Sequence, residues 1–492
     1  MRPISKLCIC LSLFMLLSCG INLPPERQVQ NLKTVPNMDQ TLKKNLKKSD
    51  IFTKGDWPRQ RWWQAYGSAE LNSLIAEALS SNPSIQEINS RVMAAKQEAI
   101  ITGSLLFPLV FFDATENRQY LSKNGLYRAL NHTIPLDANL LDLSLSFNYE
   151  FDFWGQNRNL FRAALGEARA QEAEAAEVEL ITATALSQAY MAYKTNLIRK
   201  QLYEQLVDIR KNLAGLQNLL LRKGLSSELP AFSAKENLLD AEKLLSSIHS
   251  ELKANKHLIN VLAGRAPDSP LATNNPLPAL PGKLAIPQTL SLDLIARRPD
   301  LMAQIWRAKA LAYETGAAMA EYYPNINLVG LIGLESVRWE KLFDNSSSTR
   351  ALRPAISLPI FTAGAIRANI NEKQAEFDAA IFAYNNLLLR SSQEILDVLA
   401  FAEDVYRQKK EQTTIVNYAE QRYGLVRLRQ QKGLDSQFDN YALKEEVIQK
   451  KLINVTLLYN QYLASIKLAK ALGGGYSQSE VPLVGTFRVK KV

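Results

Sequence analysis

The sequence predicts a mixed fold with two internal repeats: β-strands that close a transmembrane barrel only when several copies combine, and a tube of long α-helices continuing beneath it. Three observations carry this expectation. Landmark residues recur at fixed offsets, one 13-residue stretch alternates apolar and polar side chains, and two intervals of nearly 70 residues contain no proline.

The duplication comes first, because it sets the register for everything else. Asn82-Pro83-Ser84 opens a helical pattern that ends before Pro108, and Arg298-Pro299-Asp300 opens another that ends before Pro324, at an offset of 216. Gly155, Gly224 and Gly264 match Gly364, Gly433 and Gly473 at an offset of 209. The seven-residue slip falls between Pro108 and Gly155, which marks that interval as a loop tolerant of length change. The order in each half is short helix, strand, loop, strand, very long helix, turn, helix. Boundaries follow: a first repeat over 61–264, a linker over 265–287, a second repeat over 288–476 and a tail over 477–492. Six prolines within 267–287 keep the linker from being a helix or a central strand.

The strand expected at 141–153 is the clearest local signal. Leu141, Leu143, Leu145, Phe147, Tyr149, Phe151 and Phe153 alternate with Asp142, Ser144, Ser146, Asn148, Glu150 and Asp152, the period of two that defines a strand with unlike faces. Its length suits a tilted outer-membrane strand, with a wet-faced β-sandwich strand as the competing reading. Partner strands are expected at about 108–118, 324–336 (Ile326, Leu328, Ile332, Leu334) and 352–361 (Ile356, Leu358, Ile360). Four strands cannot close a barrel, and open edges are not tolerated in lipid, so at least two chains must share one. Three chains would supply twelve strands.

The proline-free intervals predict helices at about 157–222 and 365–431, each roughly 100 Å long at 1.5 Å per residue. The shorter helices, about 84–104 and 228–262 in the first half, nearly match that length when stacked end to end. Dense alanine in the first long helix allows close helix approach in a coiled-coil wall.

Composition narrows the rest. The 492-residue chain is 47% apolar and 22% charged, too hydrophobic for disorder, and its one long apolar run lies at the start, so a bundle of membrane-spanning helices is excluded. The charge of +10 raises nucleic acid or anionic lipid as partners. Residues 1–18 read as a signal peptide: Arg2 and Lys6 precede the apolar run Leu7 to Leu17. The sequence then reads Ser18-Cys19-Gly20, which resembles a bacterial lipobox and makes Cys19 the expected lipidation site. Gly20 favours the outer membrane, and export argues against nucleic acid. Residues 19–60 are expected to be a lipidated, solvated tether, with its lysines near anionic head groups. All three cysteines, Cys8, Cys10 and Cys19, fall in this leader, so no downstream disulfide or cysteine-ligated metal is available. His249 and His257 lack the spacing of a helical metal pair, no phosphate-cradling glycine loop is present, and no nucleophile–base constellation appears. Neither enzymatic activity nor a cofactor is expected.

Taken in order, Trp62-Trp63, Tyr66, Leu71, Leu74-Ile75, Ala78-Leu79, Asn82-Pro83, Arg91-Val92 and Ala95, then Ser357-Leu358-Pro359-Ile360-Phe361, the Lys-Gly-Leu turns and Leu472-Gly473-Gly474-Gly475, resemble the lipoprotein branch of the TolC-like outer-membrane efflux family along the mature chain. Tyr476 stands where that family often has tryptophan. The resemblance implies a homotrimer with a 12-stranded barrel and a periplasmic α-barrel. It further implies a periplasmic adaptor and an inner-membrane pump of RND type as partners. The function it implies is passive exit of drugs or other small molecules across the bacterial outer membrane. Protein export by type I secretion is the alternative, and a periplasmic adaptor lipoprotein a more distant one.

Two places carry functional expectations. Gly224, Leu225 and Ser226 in one turn, and Gly433, Leu434 and Asp435 in the other, either dock the adaptor or are merely tight helical hairpins. Asp439 matches the position of a pore-constricting aspartate in the family, with a salt bridge to a neighbouring Arg or Lys, such as Arg427 or Arg429, as the competing reading. Pro230 occupies the equivalent place in the first half.

Overall fold

The computed structural model describes residues 31–36, 51–271, 276–287 and 290–477. Cys8, Cys10, Cys19 and the signal peptide lie outside them. In chain order the elements of the first half are β1 (Phe52–Gly55), α1 (Ala69–Ser81), α2 (Pro83–Ser104), β2 (Leu109–Tyr120), α3 (Leu126–Leu130), β3 (Asp137–Glu150), α4 (Gln156–Arg222) and α5 (Glu228–Leu262). They are followed by β4 (Leu284–Pro287), α6 (Leu290–Arg297), α7 (Pro299–Ala320), β5 (Asn325–Ser336), β6 (Ser348–Ser357), α8 (Ala365–Gln431) and α9 (Gln437–Ala471).

The repeats are matched residue for residue in the helices: α4 and α8 have 67 residues each, α5 and α9 have 35, and α2 and α7 have 22. Near the strands α4 packs between α2 and α7, and α7 in turn packs on α8; farther away α4 packs between α5 and α9, and α9 on α8. The wall is therefore four helices wide throughout. Its columns are α2 above α5, unbroken α4, α7 above α9, and unbroken α8. Small residues set the close approaches: the Cα of Gly166 on α4 lies so near α7 that a Cβ there would stand 3.1 Å from the Ala310 methyl. Buried Leu301, Ile305, Trp306, Phe377, Ile381, Tyr384 and Leu388 fill the seam between α7 and α8.

The four long strands form one antiparallel sheet in the order β2-β3-β5-β6, which leaves β2 and β6 as unpaired edges. Pro354 sits within β6, an edge strand of the chain's own sheet. Register puts Val110, Phe147, Gly330 and Leu352 in one row on one face, with Phe112, Leu145, Ile332 and Arg350 in the next. The other face carries Asp113, Ser144, Ser146 and Asn148. Phe147 lies across Gly330, where any Cβ would collide with its ring.

Two strand expectations are corrected. β3 ends at Glu150 rather than 153, because the Asp152 carboxylate turns to accept the backbone N–H groups of Asn157 and Arg158, both at 3.0 Å, capping α4. β6 covers 348–357 rather than 352–361; Pro359 lacks a ladder donor, and Ile360 and Phe361, past the strand end, are exposed.

The solvated tether and the plain linker also need correction where they are described. Leu32 is buried in the main core, the Lys33 N–H donates to Asn385 Oδ1 at 2.8 Å, and Phe52–Gly55 pairs in parallel with Leu284–Pro287. Residues 31–36 thus strap α8, and the end of the proline-rich segment is a strand. A two-stranded sheet has only edges, so Pro287 is tolerated there. Among the described residues, no helix is long and apolar enough to cross a membrane.

Candidate functional site

The helical end farthest from the sheet is made of two turns with one geometry. After α4, Gly224 adopts φ +68°, its N–H reaches the Leu221 carbonyl and the Leu225 N–H reaches Leu220, both at 2.9 Å. After α8, Gly433 adopts φ +75°, bonding to Gln430, while Leu434 bonds to Arg429, again at 2.9 Å. These are Schellman closures, in which a left-handed glycine lets the chain satisfy the last helical carbonyls. Each leaves the following leucine in water: Leu225 is 74% exposed and Leu434 64%.

The two turns differ in stiffness. In the second, the Arg429 guanidinium forks onto Asp435 at 2.7 and 2.9 Å and holds its carboxyl below the usual aspartate range. Ser436 then opens α9 with a reciprocal cap: its Oγ accepts the Asp439 N–H at 3.1 Å, and Asp439 Oδ2 accepts the Ser436 N–H at 3.0 Å. In the first, Ser226 donates only a 3.4 Å bond to the Ser227 carbonyl, and Ser227 makes no side-chain cap. Asp439 is exposed, and Arg429 is committed to Asp435, so the Arg429–Asp439 pairing does not form. Ser436-x-x-Asp439 has the capping-box spacing, a signal that the sequence carries locally.

Midway along the wall lies a second cluster that sequence reading missed. The broken columns are joined end to end at two homologous places. In one, Asn82 caps α2 through the Ser84 N–H at 2.8 Å and donates Nδ2 to the Leu262 carbonyl at the end of α5, also at 2.8 Å. A Cβ on Gly264 would stand 2.9 Å from the Ser81 oxygen. In the other, Arg298 donates Nη1 to the Ala471 carbonyl ending α9 at 3.0 Å, forks onto Asp300 at 3.1 and 2.8 Å, and reaches Glu394 at 2.9 Å. Burial opposes the Arg298 charge, but Asp300 and Glu394 more than offset it and hold its pKa above the ordinary value. Glu177 on α4 faces the same joint. Burial, with Asp300 and Glu394 adding to it against Arg298 and Lys470, pushes its carboxyl up to about 7. The Arg298-Pro299-Asp300 motif marked a helix start; its second job, closing the helix below, needs tertiary contact to be seen.

No group of three potential metal ligands occurs among the described residues. The arrangement is a helical wall and a four-stranded sheet with two free edges.

The family model for the outer membrane efflux protein matches residues 74–265 and 290–474, the two structural repeats. The chain belongs to the outer-membrane efflux protein family. It is a non-enzymatic channel protein of the bacterial outer membrane with a periplasmic helical extension. Among its relatives, the multidrug resistance outer membrane protein MdtQ of Escherichia coli O6:H1 is 27% identical over 438 residues, covering 86% of this chain and 90% of that protein. MdtP of Escherichia coli K12 is 26% identical, covering 86% and 88%. The solved outer membrane protein VceC of Vibrio cholerae matches with a TM-score of 0.77 at 28% identity, over 86% of this chain and all of that one. The Campylobacter jejuni CmeC outer membrane channel matches with a TM-score of 0.78 at 20% identity, over 93% and 96%.

Proposed function

We propose that three copies of this chain form the exit duct of a tripartite pump for drugs or other small molecules, anchored by lipid on Cys19. One observation carries the assembly: the four-stranded sheet leaves β2 and β6 unpaired, and an open edge in lipid strands backbone groups that cost several kcal/mol each (order of magnitude). The outer columns support it. Exposed apolar residues recur seven apart on both edges of the wall: Met93 and Ile100 on α2, Phe232 and Leu239 on α5, Phe382 and Leu389, then Tyr418 and Leu425, on α8. Unpaired seams of this period are coiled-coil faces awaiting partners. A multidrug cargo is favoured by the names of MdtQ and MdtP.

In this reading the tips at Gly224-Leu225-Ser226 and Gly433-Leu434-Asp435 dock a periplasmic adaptor through their exposed leucines, with an RND-type pump supplying energy. Asp439, three times over, forms a negative ring near the tube end. Three like charges converging on an axis repel, and multivalent cations relieve them. The test is planar-bilayer conductance of purified channel with trivalent cations added from the tube end. Asp439→Asn keeps a capping acceptor and removes the charge, so it should weaken block while leaving a trimer of unchanged mass. Unchanged block would leave Asp439 with its capping role alone, and a monomeric mass in detergent would refute the shared barrel.

A further inference from the structure

The two loops at the outer end of the sheet are built, yet they turn their largest apolar side chains to solvent. In the β2–β3 loop, Arg128 donates to the carbonyls of His132 and Ile134, the latter at 2.8 Å, and Asn131 Oδ1 accepts the Thr133 N–H at 2.9 Å. In the β5–β6 loop, the Ser347 hydroxyl closes on the Lys341 carbonyl at 2.6 Å, and Leu342 is fully buried. Against that internal order, Leu126, Tyr127 and Leu130 are 71%, 61% and 76% exposed, and Trp339 and Phe343 56% and 75%. Solvation of this much apolar surface is unfavourable at about 25 cal/mol per Å², and monomers seldom gather it in one place.

Lipid is a poor occupant. On the apolar face of the sheet the row Ala114, Leu143 and Leu334 is followed by Glu116, Leu141 and Ser336, of which only the buried Leu141 is apolar, so the exposed apolar band ends there. Leu126 comes twelve residues after Ala114 and Phe343 nine after Leu334, beyond the last strand residues Tyr120 and Ser336. Topology names a better occupant. β2 and β6 are the free edges, so in a closed ring β6 of one copy abuts β2 of the next, and the β5–β6 loop meets the neighbour's β2–β3 loop.

Resting on the shared-barrel reading above, we propose that the loops clasp one another across each subunit boundary, Leu126, Tyr127 and Leu130 of one copy packing on Trp339 and Phe343 of the next. The clasp is an apolar collar outside the membrane, holding the barrel mouth independently of the helical seams.

Cys8, Cys10 and Cys19 are the only native cysteines, so engineered pairs are readily read. In full-length channel, Leu126→Cys/Phe343→Cys is oxidised and its trimer mass measured separately in detergent. Single variants control for Cys19, and Leu126→Cys/Leu225→Cys, with partners at opposite ends, gives the background. Proximity at millimolar effective concentration should link subunits on the order of 100-fold faster than that background. Tyr127→Cys/Trp339→Cys repeats the test should the first pair disturb assembly. A trimer in which neither pair links above background overturns the clasp, as does quenching of Trp339 by brominated lipid in such a trimer. A chain that stays monomeric overturns the shared barrel instead.

Discussion

Replacing Glu177 with glutamine should make the protein more stable at neutral and alkaline pH, and leave it unchanged in mild acid. The Glu177 carboxyl rises from 4.5 to about 7 in the folded chain, mainly because α4 buries it at the joint, beside Asp300. Each unit corresponds to roughly 1.4 kcal/mol, giving a ceiling of about 3 kcal/mol. Glu177 keeps part of its surface in water, so an observed effect of about 1–2 kcal/mol is the working figure. The sign follows from proton binding. The folded state holds this proton more tightly than the unfolded one, so stability is fully present below the unfolded value of 4.5 and declines as pH rises through about 7. Glutamine is neutral throughout and is spared that decline. Arg298 and Lys470 lose a weak attraction, already contained in the net upward shift. Thermal melts of the channel in detergent, at one scan rate and at pH 4 and 8, should nearly coincide in acid and separate by a few degrees in base. Parallel curves for the two proteins, or a variant less stable at pH 8, would refute the electrostatics assigned to the joint.

Arg298→Met strands Asp300 and Glu394 around an apolar side chain and should cost about 3–5 kcal/mol, read as a lower melting temperature that partly recovers in acid. Gly473→Ala and Gly224→Ala both force a side chain into the left-handed region, at φ +80° and +68°, but only the Gly473 methyl would collide, with the Arg297 carbonyl. Gly224→Ala should therefore cost about 1 kcal/mol and Gly473→Ala distinctly more in the same melts. Leu145→Arg places a charge in the apolar rows of the sheet and should reduce assembled channel by about 2–4 kcal/mol of insertion stability, whereas Ser146→Arg on the polar face should be milder. Equal yields from membrane fractions would contradict the facing.

The helical architecture was legible because its signals are local and periodic. Gly155, Gly224, Gly364 and Gly433 punctuate proline-free intervals, and all four take positive φ at the ends of α4 and α8. The strand limits were less legible, because alternation does not report where pairing stops. Phe151 and Phe153 continue the pattern of β3, yet Asp152 between them is diverted to cap the next helix. Residues 31–36 looked soluble from composition, whereas one leucine and backbone bonds to Asn385 suffice to fasten them. The joints were invisible for a different reason. Asn82 and Arg298 share no side-chain chemistry, yet each hands a hydrogen bond to the carbonyl end of the helix below, an equivalence that depends on the second helix being there.

The equal lengths of the paired helices turn the chain into a ruler. With 67 residues in both α4 and α8, and 35 in both α5 and α9, the distance spanned below the sheet is written twice, once in each half. A single inserted residue would lift everything beyond it by about 1.5 Å and rotate it by about 100°, moving every apolar side chain off its seam. Lengthening the duct is thus a coordinated edit: whole heptads, added at the same level in both unbroken columns and in the segmented columns beside them. Shorter or longer relatives on this plan should differ in discrete steps, matched between the halves, which sets how far from the sheet a given chain reaches.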